Sequence, residues 1–103
     1  MKVSWSKRAI KSLTHTSMYI LNEFGNRANM RFLQEIQKVS DLMEENPFMG
    51  QVEPLLIGKS KEYRSVVVNR QNKIVYYVKG NTIRVSALWD MRREPKSLAK
   101  EVK

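Results

Sequence analysis

The chain contains no cysteine, and this absence excludes several kinds of chemistry at once. Disulfides, thiolate zinc sites and cysteine nucleophiles all need that residue, and its absence fits a reducing compartment. Histidine is nearly absent too. The single one, His15, lies between Thr14 and Thr16 in a helical segment, where a solvated residue is more plausible than a general base.

Long apolar runs are also missing. No stretch of about eighteen apolar residues could span a membrane, and residues 1–6 lack the apolar core of a secretion signal. We therefore expect a cytoplasmic protein with no membrane partner. The four glycines are isolated turn residues, so there is no glycine-rich phosphate loop, and no ligand cluster has metal-site spacing. We expect neither a metal nor a cofactor.

Acidic residues are few compared with basic ones. Ten Asp and Glu stand against nineteen Lys and Arg, a net charge of +9 in 103 residues. This charge favours an anionic partner such as nucleic acid, a ribonucleoprotein surface or an acidic protein, although it also fits a surface that only keeps the protein soluble. At this length we expect one domain spanning residues 1–103.

The first half of the chain predicts one strand and two helices. Residues 1–5 alternate as in a short strand, and Ser6 is a suitable N-cap for a helix that runs to about Phe24. Gly25 can end that helix in a left-handed conformation, and Asn26 can cap the next one. The second helix should stop near Asn46, which precedes a proline. Its apolar residues have the most regular spacing in the chain: Ala28, Phe32, Ile36, Val39 and Met43.

The second half predicts three strands and a short helix. The strands are Tyr63–Val68, Lys73–Lys79 and Thr82–Trp89, with Gly80-Asn81 as a two-residue hairpin loop. The connection over residues 48–62 should dip into the core, and a helix should run from residue 95 to residue 102. The hairpin register, with Lys79 opposite Thr82 and Ile74 opposite Ala87, puts one set of side chains on the core side: Ile74, Tyr76, Val78, Ile83, Val85, Ala87 and Trp89.

This order of elements predicts an α+β fold. Helices grouped first and strands grouped last favour an antiparallel helix hairpin packed on one face of an antiparallel sheet of about four strands. The N-terminal strand should add to an edge of that sheet, and a short C-terminal helix follows it. The opposite face of the sheet is expected to be bare.

The bare face is expected to carry a row of three residues. If the turn near residue 70 has an even number of residues, Val68 lies opposite Lys73 and the row is Arg64, Tyr77 and Arg84. An odd turn would move Arg64 to the other face, because a slip of one residue inverts every side chain of a strand. The simplest interpretation is that two arginine stems cover a tyrosine ring on a solvated surface.

Further cations precede and follow the predicted sheet strands along the sequence. The complete set could hold a phosphodiester and stabilise charge during in-line attack without a metal, or it could grip an acidic peptide. Spacing alone does not separate these functions. Strand parity assigns Tyr63, Tyr76 and Trp89 to the core, which leaves Tyr77 as the aromatic candidate for binding. The candidate binding residues outside the two arginines of the row are Lys59, Lys61, Tyr77, Arg92 and Arg93.

Six segments of the chain occur in an order and spacing that indicate a known family. They are Trp5-Ser6-Lys7-Arg8-Ala9, Asn46-Pro47-Phe48-Met49-Gly50, Glu53-Pro54-Leu55, Tyr63-Arg64, Ile74-Val75-Tyr76-Tyr77-Val78 and Trp89-Asp90-Met91-Arg92-Arg93-Glu94-Pro95. Over nearly its whole length the chain resembles the RelE/ParE superfamily of toxins from bacterial toxin-antitoxin modules. The resemblance implies a cytosolic growth inhibitor neutralised by a cognate antitoxin, whose acidic wrapping segment would cover the bare sheet face and the groove beside the helix hairpin.

The resemblance leaves two targets open. ParE-like members inhibit DNA gyrase, whereas RelE-like members cut messenger RNA on the ribosome and commonly use a C-terminal tyrosine or histidine. Only a RelE-like enzyme would give Arg64 and Arg84 catalytic roles, and residues 94–103 contain neither tyrosine nor histidine. We therefore favour gyrase inhibition, with ribosome-dependent mRNA cleavage as the alternative and a non-toxic basic binding module as a third possibility. An oligomer is compatible with each.

Overall fold

The computed structural model describes residues 1–102 and has the predicted α+β architecture. A first strand leads into two helices that form a hairpin, and a sheet and a short helix complete the chain. The elements are β1 (Lys2–Trp5), α1 (Lys7–Phe24), α2 (Asn26–Glu45), β2 (Gln51–Val52), a 3-10 turn (Pro54–Leu56), β3 (Arg64–Val68), β4 (Asn72–Lys79), β5 (Thr82–Asp90) and α3 (Pro95–Glu101).

The helix ends follow local signals, with one correction. The Ser6 side chain accepts a hydrogen bond from the backbone N–H of Ala9 at 3.0 Å, as an N-cap should. Gly25 has φ +90°, a conformation that favours glycine, and it separates α1 from α2. The prediction that Asn26 caps α2 is wrong. Helix α2 already includes Asn26, and no side chain caps its first turn.

The sheet has five strands in the order β1-β5-β4-β3-β2. It is mixed and not purely antiparallel, because β1 runs parallel to β5 with Val3 opposite Ile83. The predicted edge position of β1 is confirmed, but a pattern of four residues does not specify strand direction. The unpredicted strand β2 lies at the edge beside β3, and β1 lies at the opposite edge, beside β5.

The main core lies between the helix hairpin and one face of the sheet, which we call the helix face. Four of the five periodic positions of α2 are buried in it, whereas Ala28 is only partly buried. Its buried side chains are Ala9, Phe32, Ile36, Val39, Met43, Val68, Ile74, Tyr76, Ile83, Val85 and Leu88.

A β-bulge in β5 changes the predicted register. Pairing agrees with prediction from Lys79 opposite Thr82 to Tyr76 opposite Val85, and then shifts so that Val75 lies opposite Ala87. Residue 86 is therefore the extra residue of the bulge. The predicted placement of Ala87 and Trp89 on the helix face is wrong, because the inserted residue turns both side chains to the opposite face, here called the back face.

The turn between β3 and β4 has three residues, which is the odd case. Val68 lies opposite Asn72, and Asn69 and Arg70 adopt positive φ angles of 44° and 66°. The slip puts Arg64 opposite Tyr76 and on the helix face. The predicted row of Arg64, Tyr77 and Arg84 on one face is therefore wrong.

The back face is also less bare than expected. Helix α3 and the 3-10 turn cover part of it and form a second apolar cluster. Leu56 is 2% exposed and Leu98 is fully buried, so the connection over residues 48–62 does dip into a core and α3 does find a packing surface. The cluster consists of Leu56, Tyr63, Val75, Ala87, Trp89, Leu98 and Val102.

Candidate functional site

The Arg64 side chain contacts the corner formed by residues 46–50. Its Nη1 donates to the carbonyl oxygen of Gly50 at 2.8 Å, and its Nη2 pairs with a carboxylate oxygen of Glu62 at 2.8 Å. The guanidinium carbon lies 5.2 Å from the centre of the Phe48 ring. With only 21% of its side chain exposed, this arginine holds the corner in place, and it does not reach the back face.

Tyr76 lies opposite Arg64 on the neighbouring strand and also forms hydrogen bonds to this corner. Its hydroxyl donates to the carbonyl oxygen of Pro47 at 2.8 Å and accepts from the N–H of Gly50 at 2.9 Å. Burial raises the pKa of Tyr76, so the hydroxyl keeps its proton and its donor role. A Cβ atom on Gly50 would lie 2.8 Å from that hydroxyl and 2.9 Å from the carbonyl oxygen of Ser65. Glycine is required here by the close approach.

A buried carboxylate, Glu53, connects the 3-10 turn to the back side of β3 and β4. Glu53 is 1% exposed and pairs with the ammonium of Lys73. It also accepts from the Ser65 hydroxyl at 2.9 Å and from the N–H of Leu55 at 2.9 Å. Burial alone would raise the pKa of Glu53, but these donors outweigh it and hold the pKa below its ordinary value. No local pattern in the sequence predicts this network, because Glu53 and Lys73 are brought together only by the fold.

Three of the predicted binding cations already form hydrogen bonds or ion pairs within the chain, near α3 or the end of β5. Lys59 donates to the carbonyl oxygen of Ala99 in the last turn of α3 at 2.7 Å, where a cation complements the helix end. Arg93 pairs with Glu101 at 2.9 Å and lies 4.3 Å from the Trp89 ring centre. The guanidinium of Arg92 forms an ion pair with the carboxylate of Asp90, with nitrogen–oxygen distances of 3.0 and 2.8 Å.

The remaining predicted residues come together at the uncovered end of the back face. Tyr77 lies directly opposite Arg84 in the β4–β5 pair. The ammonium of Lys61 is 4.5 Å from the centre of the Tyr77 ring, whose edge-to-face partner is Tyr63 at 5.5 Å. Arg84 is exposed and forms no ion pair within residues 1–102.

Two lysines that sequence reasoning missed share this end. Lys79 is on the same face because it pairs with Thr82, two residues from Arg84, and the predicted hairpin register already contained that signal. Lys2 pairs with Thr82 from the other side, through the parallel strand that the sequence did not reveal. We call the four exposed cations Lys2, Lys61, Lys79 and Arg84 the back-face basic surface.

A groove lies on the other side of the molecule, between the helix hairpin and the β3–β4 turn. Its volume is about 600 Å³, and Tyr19 and Phe24 on its wall are 51% and 67% exposed. The floor includes Ile20 and Phe32. We call it the hairpin groove, and its charged or titratable lining residues are His15, Arg31, Glu35, Arg70, Asp90 and Arg92.

The residues considered for acid–base or phosphate chemistry lie on different sides of the sheet. Within residues 1–102 there is no cluster of three or more ligands suited to a metal ion. The exposed His15 lies on α1 at the hairpin groove, on the helix side of the sheet, whereas Arg84 lies on the back face. Arg64 lies on the helix face and Arg84 on the back face, so the two guanidinium groups do not converge on one phosphate.

Comparison with protein families matches residues 3–95 to the model of the ParE toxin of type II toxin-antitoxin system, parDE. The chain belongs to the ParE toxin family. A solved structure, the chromosomal ParDE toxin-antitoxin system from P. aeruginosa, is similar to it with a TM-score of 0.70 at 16% identity, covering 87% of this chain and 95% of that chain. Comparison with curated proteins gives no match.

These findings confirm the resemblance to the RelE/ParE superfamily. The family match identifies the chain as a toxin of a toxin-antitoxin system. The structural likeness to the P. aeruginosa protein concerns the fold. In the described part of this ParE-family chain, no helix combines the length and apolar character needed to cross a membrane.

Proposed function

We propose that this ParE-family toxin stops growth by inhibiting DNA gyrase in the cytoplasm and that a cognate antitoxin neutralises it. The observation that carries the proposal is the family match over residues 3–95. The placement of the arginines supports it indirectly. The mRNA-cleavage alternative needed Arg64 and Arg84 on one surface, and they lie on opposite faces of the sheet.

We propose Lys61 and Tyr77 as residues that contact the target. Both lie at the uncovered end of the back face, and Lys61 is exposed with its ammonium over the aromatic ring. Arg92 and Arg93 are exposed as well, but their guanidinium groups already pair with Asp90 and Glu101. A target would have to share or displace those carboxylates. We therefore propose that Arg92 and Arg93 contribute less to target binding than Lys61 and Tyr77.

A supercoiling assay tests the target. Purified toxin should inhibit the supercoiling of relaxed plasmid by gyrase, and Lys61→Ala should require several-fold more toxin for the same inhibition because a rim cation guides association. Lys38→Ala, an exposed lysine on α2, is the matched control and should behave as wild type. Unchanged supercoiling at large toxin excess would contradict gyrase inhibition. Cleaved transcripts in a translating extract would instead favour the RelE-like alternative.

We place the antitoxin in the hairpin groove. Its apolar floor and the exposed rings of Tyr19 and Phe24 offer an anchor for apolar side chains, and Arg31 and Arg70 would complement an acidic segment. A segment that is flexible when free and folds on the toxin fits such a surface.

A growth assay tests this assignment. Induction of the toxin should arrest a bacterial host, and co-expression of any neighbouring acidic reading frame that encodes the antitoxin should restore growth. Phe24→Ala should weaken the rescue, whereas Met18→Ala, 53% exposed on α1 but outside the groove, should not. Equal rescue of both variants would place the antitoxin elsewhere. A harmless induced protein would favour the non-toxic binding module.

A further inference from the structure

The back-face basic surface includes three cations that the proposed gyrase contacts leave unused. We propose that Lys2, Lys79 and Arg84 bind the phosphate backbone of duplex DNA. The choice of DNA rests on the proposed function, since gyrase acts on duplex DNA. The choice of a duplex phosphate backbone rests on the geometry below.

The three cations form one compact triangle across adjacent strands. Lys2 on β1 and Lys79 on β4 both pair with Thr82, so they flank it on the two sides of β5. Arg84 is two residues further along β5 and on the same face. Strands lie about 4.8 Å apart and two residues span about 6.6 Å along a strand, so the three Cα atoms lie within about 12 Å of one another. Several phosphates of one backbone could contact all three at once.

The positive charge of this triangle is uncompensated in the described part of the chain. Lys2, Lys79 and Arg84 are exposed, and none belongs to an ion pair within residues 1–102. Glu101 borders the neighbouring notch beside Lys61, but its carboxylate is held by Arg93 at 2.9 Å. Polyanion binding here would release counterions without first breaking a salt bridge.

The residues between the cations favour a phosphate backbone over an acidic peptide. Ser4 pairs with Arg84, and Thr82 separates Lys2 from Lys79, so the triangle contains no apolar anchor. Peptide and protein partners depend on such anchors for affinity. Two large exposed rings, Tyr19 and Phe24, instead lie in the hairpin groove on the helix side.

The same surroundings favour a duplex over a single strand. Unpaired bases bind by stacking on exposed aromatic faces. The only aromatic residue next to the triangle among residues 1–102 is Tyr77, whose ring already contacts Lys61 and the edge of Tyr63. A flat cationic surface without a free ring can contact the backbone of a duplex but offers no stacking platform for bases.

Fluorescence anisotropy with a labelled duplex of about 20 base pairs, titrated over a range of salt concentrations, tests the proposal. The test variant is K2Q/K79Q/R84Q in the full-length chain. The control variant, K11Q/R27Q/K38Q, removes three exposed cations from the helices and therefore has the same net charge. Circular dichroism and urea unfolding check that both variants keep the wild-type fold.

The wild-type protein and the control should bind with a similar dependence on salt. The test variant should bind at least roughly tenfold more weakly, and its plot of log K against log salt should be shallower by about 2.7, the value for three lost phosphate contacts. Equal losses in the two variants would mean that only net charge matters, and this would overturn the proposal. Tighter binding to a single strand or to RNA of the same length, or no wild-type binding at low salt, would overturn it too.

The outcome is separable from that of the gyrase proposal. Supercoiling inhibition without duplex binding would overturn this inference alone, whereas duplex binding without supercoiling inhibition would overturn gyrase inhibition alone.

Discussion

The two ends of the sheet use the same kinds of polar residue for different purposes. At the end formed by β2, β3 and residues 46–56, which we call the locked end, Arg64, Tyr76 and Glu53 all bond to groups within the chain. At the end formed by β1 and the β4–β5 hairpin, which we call the open end, Arg84 and Lys79 extend into solvent. A cation becomes a candidate for binding a partner only where the fold has not already used its hydrogen bonds.

The difference between the ends follows from what each must satisfy. The corner at residues 46–50 leaves main-chain groups of Pro47 and Gly50 inside the molecule, and an unpaired buried group costs about 1–3 kcal/mol. Arg64 and Tyr76 supply the partners. The open end finishes in the exposed loop Gly80-Asn81, where the carbonyl oxygen of Asn81 accepts from the backbone N–H of Lys2, so no side chain is needed to satisfy it. Variants at the locked end should therefore lower stability more than matched variants at the open end.

The largest effect should come from Glu53→Gln. This change leaves the ammonium of Lys73 without its charged partner, and breaking a buried ion pair costs about 3–5 kcal/mol, or about 3 here because Lys73 keeps 13% exposure. Glu23→Gln on the exposed side of α1 is the control, with a change below about 0.5 kcal/mol. Urea unfolding measures both. Equal small losses would show that the Glu53 network does not hold the locked end.

Gly50→Ala should follow, with a loss of about 2–3 kcal/mol. The new methyl group would meet the Tyr76 hydroxyl and the Ser65 carbonyl, so the corner must shift. At the open end, Gly80→Ala has free space around the methyl group and only the unfavourable φ of +59°, so it should lose about 1 kcal/mol. A Gly80 variant less stable than the Gly50 variant would contradict the comparison.

The neighbouring tyrosines give a third, smaller contrast. Tyr76→Phe removes the partner of the Pro47 carbonyl and of the Gly50 N–H, and we expect a loss of about 1.5 kcal/mol. Tyr77→Phe on the next position of the same strand should change the free energy of unfolding by less than about 0.5 kcal/mol. Thermal unfolding of the two variants side by side is sufficient, and similar values would argue against a special role for the Tyr76 hydroxyl.

The smallest contrast concerns pH. Because the pKa of Glu53 is below its ordinary value of 4.5, its contribution is fully present above pH 4.5 and is lost as the pH falls through the lowered value. Asp90, whose pKa is lowered by its hydrogen bonds from Arg92, acts in the same direction. The difference in unfolding free energy between wild type and Glu53→Gln should therefore shrink below pH 4.5. A difference that stays constant from pH 7 to pH 3 would contradict a lowered pKa for Glu53.

Much of the scaffold was predictable because its signals are local. The Ser6 cap, the apolar period of α2 and the Gly80-Asn81 loop each depend on a few neighbouring residues, and the structure confirms all three. The bulge at residue 86 and the three-residue turn after Val68 have no such local signature. Each inverts the faces of a strand segment, so a small error moved Arg64, Ala87 and Trp89 to the wrong side.

The arrangement of the candidate residues could be predicted only in part. Tyr77 and Arg84 were placed together correctly because they lie within the part of the hairpin whose register is fixed by its loop. The face on which Arg64 lies depends on the length of the turn between β3 and β4, and the position of Lys2 depends on the direction of β1. The partners of Glu53 come from segments far apart in sequence, which no local pattern connects.

The central claim is that Arg64 serves the fold whereas Arg84 is free to bind a partner, and one paired measurement tests it directly. Urea unfolding of Arg64→Ala should show a loss of about 2 kcal/mol, because the carbonyl of Gly50 loses its donor. Arg84→Ala should stay within about 0.5 kcal/mol of wild type. Equal losses in the two variants, or a larger loss for Arg84→Ala, would contradict the account.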